Sequence, residues 1–71
     1  MVKYTVIVEP GEKNWSAYVP DLSGCVAAGT TREETLALIQ QAIALHLEAL
    51  REQGEPIPPP ASEAELVTVP A

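Results

Sequence analysis

Positive charge is scarce in this chain. Four Lys and Arg face ten Asp and Glu, for a net charge of -6 and a pI near 4.4. A phosphate-binding surface needs clustered Lys and Arg, so the composition argues against direct nucleic-acid binding. It suits encounter with a basic partner. Cysteine is limited to Cys25, which excludes an internal disulfide and favours a reducing, cytoplasmic setting. His46 is the single histidine, and no cluster of Cys and His suggests a structural metal; no cofactor is expected. No apolar run approaches the roughly 20 residues that span a bilayer, so no membrane partner is expected. The opening Met1-Val2-Lys3-Tyr4-Thr5 alternates like a strand and lacks the apolar centre of a signal peptide. A Gly-rich phosphate loop is also missing.

What is present fits one small folded domain spanning residues 1–71. The chain is 46% hydrophobic and 20% charged, enough apolar surface to fold. A chain this short buries only about 60% of its unfolded surface, while ordering each residue costs on the order of 1.5 kcal/mol. Self-association, as a dimer or higher homo-oligomer, is the expected extra source of burial.

Alternation places the strands. Val2, Tyr4, Val6 and Val8 share one face of a strand over Val2 to Glu9, with Lys3, Thr5, Ile7 and Glu9 opposite. Residues 10–14, Pro-Gly-Glu-Lys-Asn, form a hairpin loop. Trp15 to Val19 is a second strand, with Trp15, Ala17 and Val19 on one face and Ser16 and Tyr18 on the other. Pro20-Asp21-Leu22-Ser23-Gly24 is a turn-rich connection, and Cys25 to Ala28 is a third strand ended by Gly29.

A helix from about Arg32 to Gln53 follows. Thr31 with Glu34 makes a capping box, Thr30 with Glu33 being the other register, and the glutamates favour the positive end of the helix dipole. Gly54 is a natural residue beyond the helix end, and Pro56 forbids continuation. Leu36, Ile39, Ile43, Leu47 and Leu50 build one apolar stripe. Leu38, Ala42, Leu45 and Ala49 build a second on the nearly opposite face, read as an exposed contact surface. Residues 56–62 form a stiff Pro-rich connector to a short last strand, Leu66 to Val69, ended by Pro70. The fold class expected is α+β, β-β-β-α-β. A four-stranded mixed sheet of order 3-2-1-4 carries one long helix on one face, the last strand entering by a right-handed crossover.

Chemistry is poorly represented. His46 on the helix flank has no partner in the linear sequence that would make it a general base. Cys25 has no neighbouring cation to activate it, which favours a packing role. Asp21, the single aspartate, fits a turn in which its carboxylate accepts from backbone N–H groups. A small enzyme using Cys25 or His46 is the least supported reading. Trp15 suits the core or an interface; Tyr18, on the other face, is the better interface candidate.

Several stretches together resemble a known family. Tyr18-Val19-Pro20-Asp21-Leu22-Ser23-Gly24-Cys25 resembles the PDLPGC-type turn of HicB-like antitoxins. Gly29-Thr30-Thr31-Arg32-Glu33-Glu34-Thr35-Leu36 resembles that family's G-x-T-x-E-E-A-L helix start. Leu45-His46-Leu47-Glu48-Ala49-Leu50 and Gly54-Glu55-Pro56-Ile57-Pro58 resemble its helix end and exit. The resemblance covers nearly the whole chain. It implies a partial ribonuclease-H-like fold and a cytoplasmic role in neutralising a small basic HicA-type mRNA-cleaving toxin. Ser23 departs from the family's usual proline. Many members carry a C-terminal DNA-binding domain; with 71 residues and a charge of -6, none is expected here, nor is direct operator binding. A ribonuclease-H-like outline does not bring nuclease activity, which needs clustered carboxylates around metal ions; the chain is expected not to be an enzyme. The residues expected to touch a partner are Tyr18, Pro20, Asp21, Leu22, Gly24, Leu38 and Leu45. The other reading is an orphan homo-oligomer that serves assembly alone.

Overall fold

The computed structural model describes residues 2–70; Met1 and Ala71, with the readings that fell on them, lie outside the described residues. Three strands precede one helix: β1 (Ile7–Pro10), β2 (Trp15–Tyr18), β3 (Val26–Gly29) and α1 (Arg32–Glu52). The strands form an antiparallel meander of order β1-β2-β3, so the fold is α+β with the helix across one face of the sheet. The register pairs Ile7 with Tyr18 and Pro10 with Trp15, then Trp15 with Gly29 and Tyr18 with Val26.

The first strand is shorter than its alternation suggests. β2 ends at Tyr18 and Pro20 follows, so residues 2–6 run past the end of their only neighbour and have no ladder to join. They are still held. The Tyr4 hydroxyl donates to the Pro58 carbonyl at 2.5 Å, and the Thr5 hydroxyl to the Ser62 carbonyl at 2.7 Å. The expected inner face persists, with Tyr4, Val6 and Val8 packed against the core.

The core consists of Ala17, Val19, Leu22, Cys25, Ile39 and Leu47, all buried. Period-two alternation supplies Ala17 and Val19 from the sheet, and the helix supplies Ile39 and Leu47, with Ile43 and Leu50 half-buried beside them. Each full burial of such a side chain stabilises by about 1.5–3 kcal/mol.

The helix ends are the ones the sequence signals. Thr31 Oγ1 accepts from the Glu34 N–H at 3.0 Å. The reciprocal bond reaches one residue further back than in the usual box: Glu34 Oε1 accepts from the Thr30 N–H at 2.8 Å. At the other end the Gly54 N–H donates to the Arg51 carbonyl and the Glu55 N–H to the Leu50 carbonyl. With Gly54 at φ 72, this is a Schellman closure. Thr35 is fully buried. Its hydroxyl donates to the Thr31 carbonyl at 2.8 Å and lies 3.5 Å from the Trp15 carbonyl, which joins the first helical turn to β2. Gly29 permits that approach, because a Cβ there would sit 2.8 Å from Thr35 Oγ1 and 3.1 Å from the Thr35 nitrogen.

Two expectations are corrected. The second helical stripe is not fully opposite the first: at 100° per residue the centre of Leu38, Ala42, Leu45 and Ala49 lies roughly 130° from the centre of the first, with Ala42 at its near edge. Ala42 therefore packs against the core, while Leu38, Leu45 and Ala49 stay exposed. No fourth strand is formed among the described residues, so the sheet has three strands rather than the order 3-2-1-4. Residues 66–69 take no place beside β1, because the chain is held as far as Ser62 and then leaves the domain. Leu66 is 102% exposed, Val67 78% and Val69 68%. The Cα radius of gyration is 13.8 Å, against about 11 Å for a compact domain of this length.

Candidate functional site

The loop between β2 and β3 is built from two consecutive turns sharing Leu22. The Leu22 N–H donates to the Val19 carbonyl at 3.1 Å and the Cys25 N–H to the Leu22 carbonyl at 3.1 Å, while the Val19 N–H closes the loop on the Cys25 carbonyl at 3.2 Å. Pro20 occupies the second position of the first turn, where its fixed φ fits. Gly24 occupies the third position of the second turn at φ 80, the signature of a type II turn. The spacing of three buries Val19, Leu22 and Cys25 together. Pro20, Ser23 and Gly24 are left exposed on the outer rim.

Asp21 does not serve its own turn. Its Oδ2 accepts from the Ala61 N–H at 2.9 Å and the Ser62 N–H at 3.0 Å, and its Oδ1 accepts from the Ser62 hydroxyl at 2.8 Å. The Ser62 N–H, the Ala61 N–H and the Ser62 hydroxyl, in that order, hold the Asp21 carboxyl below its ordinary range. The residue clamps the Pro-rich connector to the loop. No sequence signal marks its partners, which lie 40 and 41 positions away.

Beside the loop, the sheet face turned away from α1 carries a cross-strand row, Ile7, Tyr18 and Val26. Tyr18 is 42% exposed and Val26 64%, and Ser16 and Ala28 beside them are exposed too. A single sheet with one helix has only one covered face. On the helix flank, Leu38 is 37% and Leu45 67% exposed.

Of the residues read as partner contacts, Tyr18, Pro20 and Gly24 are exposed at one end of the sheet. Leu38 and Leu45 lie on the separate helix flank, and Asp21 is engaged with the connector. Leu22, 1% exposed, is a core residue that shapes the turn. Val26, which is not among them, pairs with Tyr18 on the same exposed face.

The residues weighed for chemistry are dispersed. Cys25 is buried in the core, where loss of hydration pushes its thiol pKa up, away from the thiolate a nucleophile needs. His46 is half-buried on α1. Among the described residues no three His, Cys, Asp or Glu side chains converge on a metal position, and no helix is long and apolar enough to cross a membrane.

The arrangement defines a class: a small acidic α+β domain with one face of its sheet left uncovered. Its family follows from comparison. Residues 4–71 match the family described as HicB_like antitoxin of bacterial toxin-antitoxin system, and the chain belongs to that family. It is 35% identical over 71 residues to Antitoxin HicB 2 of Photorhabdus laumondii, covering 99% of this chain and 51% of that protein. A UPF0150 protein of Synechocystis is 38% identical over 56 residues, 78% of this chain and 71% of its own length. An uncharacterized 14.9 kDa protein of Haemophilus phage HP1 is 33% identical over 55 residues, 78% of this chain and 41% of its own. The chain thus spans about half the length of the first two of its curated relatives. No solved structure matches.

Proposed function

We propose that this domain neutralises a small basic toxin of the HicA type, an mRNA-cleaving protein, by binding it directly in the cytoplasm and blocking its access to RNA. The observation that carries the reading is the uncovered apolar row Ile7, Tyr18 and Val26 on an acidic domain of the antitoxin family. A charge of -6 draws a cationic partner in at long range. Tyr18 supplies the large amphipathic contact that dominates interfaces of this kind. Pro20 and Gly24 present a rigid rim next to it, and Asp21 keeps that rim in place. Leu38 and Leu45 offer a second contact on the helix flank. Nucleic acid is not bound by the domain itself, since Lys and Arg are too few to track a phosphate backbone. The uncovered sheet suits the partial ribonuclease-H-like outline without its chemistry.

The test is co-purification with a basic toxin of this type, together with that toxin's RNA cleavage. Cleavage stops when the domain is added. Tyr18→Ala raises the dissociation constant about thirtyfold, the loss of a hot spot worth ~2 kcal/mol, and affinity falls as salt rises. No complex and undiminished cleavage would refute the reading.

A further inference from the structure

The molecule exposes more surface than its mass requires. Its accessible area is 5566 Å², against about 4,300 Å² for a compact monomer of 7.6 kDa. The excess is roughly 1,300 Å², and residues 63–70, all exposed, with Leu66 at 102%, contribute to it. Beyond Ser62, among the described residues, no hydrogen bond joins this arm to the domain, and it belongs to no helix or strand. Leu66-Val67-Thr68-Val69 contains three β-branched residues, a composition that fits a pleated, half-buried surface. An extended, strand-forming segment with all its backbone groups unpaired is a strand without a sheet.

The sheet has two open edges, and they are not equivalent. β1 carries Glu9 and Pro10, and the residues leading into it are tied to the molecule's own connector. These are the features by which edges are kept from pairing. β3 is Val26-Ala27-Ala28-Gly29, with neither charge nor proline, and it matches Leu66 to Val69 in length.

We infer that the arm of one copy pairs with the β3 edge of a second copy, each chain lending residues 66–69 as a fourth strand to the other's sheet. The arm stands clear of its own domain, all of residues 63–70 being exposed, and with it the chain measures 48 by 28 by 20 Å, so the partner edge is another molecule's. The chain's excess area exceeds what a stable interface buries, about 800 Å² per partner. Two copies of charge -6 repel, so this association tightens as salt rises. Toxin binding has the opposite salt dependence, which separates the failure of one reading from the failure of the other.

Light scattering of the full chain over a wide concentration range, at low and at high salt, tests the inference together with amide exchange. The intact chain reaches twice 7.6 kDa, more readily at high salt, and the outward-pointing amides of Val26–Gly29 resist exchange. Successive strand residues aim their N–H groups at opposite edges, so Val67→Pro and Thr68→Pro are made separately, and at least one of them removes a bonded amide. That variant returns to the mass of one chain with helical circular dichroism unchanged and loses the β3 protection, because neither residue touches the core. A monomer at every concentration, a dimer that survives both substitutions, or protection gained along β1 instead of β3 would each overturn the inference. Protection of β3 in a monomer would show that the arm folds back on its own sheet, and would overturn it too.

Discussion

Residues 19–25 and residues 63–70 are two irregular segments of similar length, both carrying regularly spaced apolar side chains, and they end in opposite states. In the first, Val19, Leu22 and Cys25 are buried because two turns satisfy the backbone from within, so its apolar side chains can enter the core without stranding a polar group. In the second, Leu66, Val67 and Val69 are exposed because an extended backbone can be buried only beside another strand. Apolar spacing decides which residues seek burial. The supply of hydrogen-bond partners decides which of them achieve it.

The contrast can be broken hardest at the shared turn residue. Leu22→Ala removes a fully buried side chain and is expected to cost 2–5 kcal/mol. A domain of this size holds only about 4–11 kcal/mol in all, and chemical denaturation measures the loss. Gly24→Ala puts no Cβ in contact with anything, so its cost is purely that of the left-handed backbone, about 1–2 kcal/mol, read from the same titration. Ser23→Pro runs the other way. Ser23 holds the second position of a type II turn, where proline is pre-set, and the substitution is expected to stabilise by about 0.4–1 kcal/mol. Leu66→Ala completes the series: in dilute solution, where chains are apart, it shifts protomer stability by less than about 0.5 kcal/mol. A large loss there would mean that the arm packs on its own domain.

The join between the two regions has its own test. The Asp21 carboxyl is more acidic folded than unfolded. Its contribution is therefore complete above the ordinary carboxylate range and disappears as pH falls through the depressed folded value. Protection of the Ala61 and Ser62 amides, measured against the intrinsic exchange rate at each pH, is expected to be lost in acid before the helix melts, and Asp21→Ala to bring the same release at neutral pH.

Legibility in the sequence followed the range of the interactions. The helix was readable at both ends because Thr31 with Glu34, and Gly54 with Leu50 and Arg51, act within one turn. The meander was readable because loops of a few residues force neighbouring strands together. β1 was over-long on paper because its limit is set by where β2 stops, a fact about a different strand. The last strand was over-read because Leu66 to Val69 shows strand propensity, while a strand also needs an edge. The site was legible in part: Tyr18 is on the open face as its alternation required. Leu22 reads as an ordinary loop residue and becomes core only when both turns close. The Asp21 clamp depends on partners about 40 residues distant, beyond any local pattern.

That clamp also fixes a pivot. Because Ser62 is pinned against the loop, the eight residues from 63 to 70 start from a fixed origin, with a reach of roughly 26 Å when extended. The edge that receives the segment must therefore lie within that radius of the loop, and the effective concentration of the segment there falls as the span departs from it.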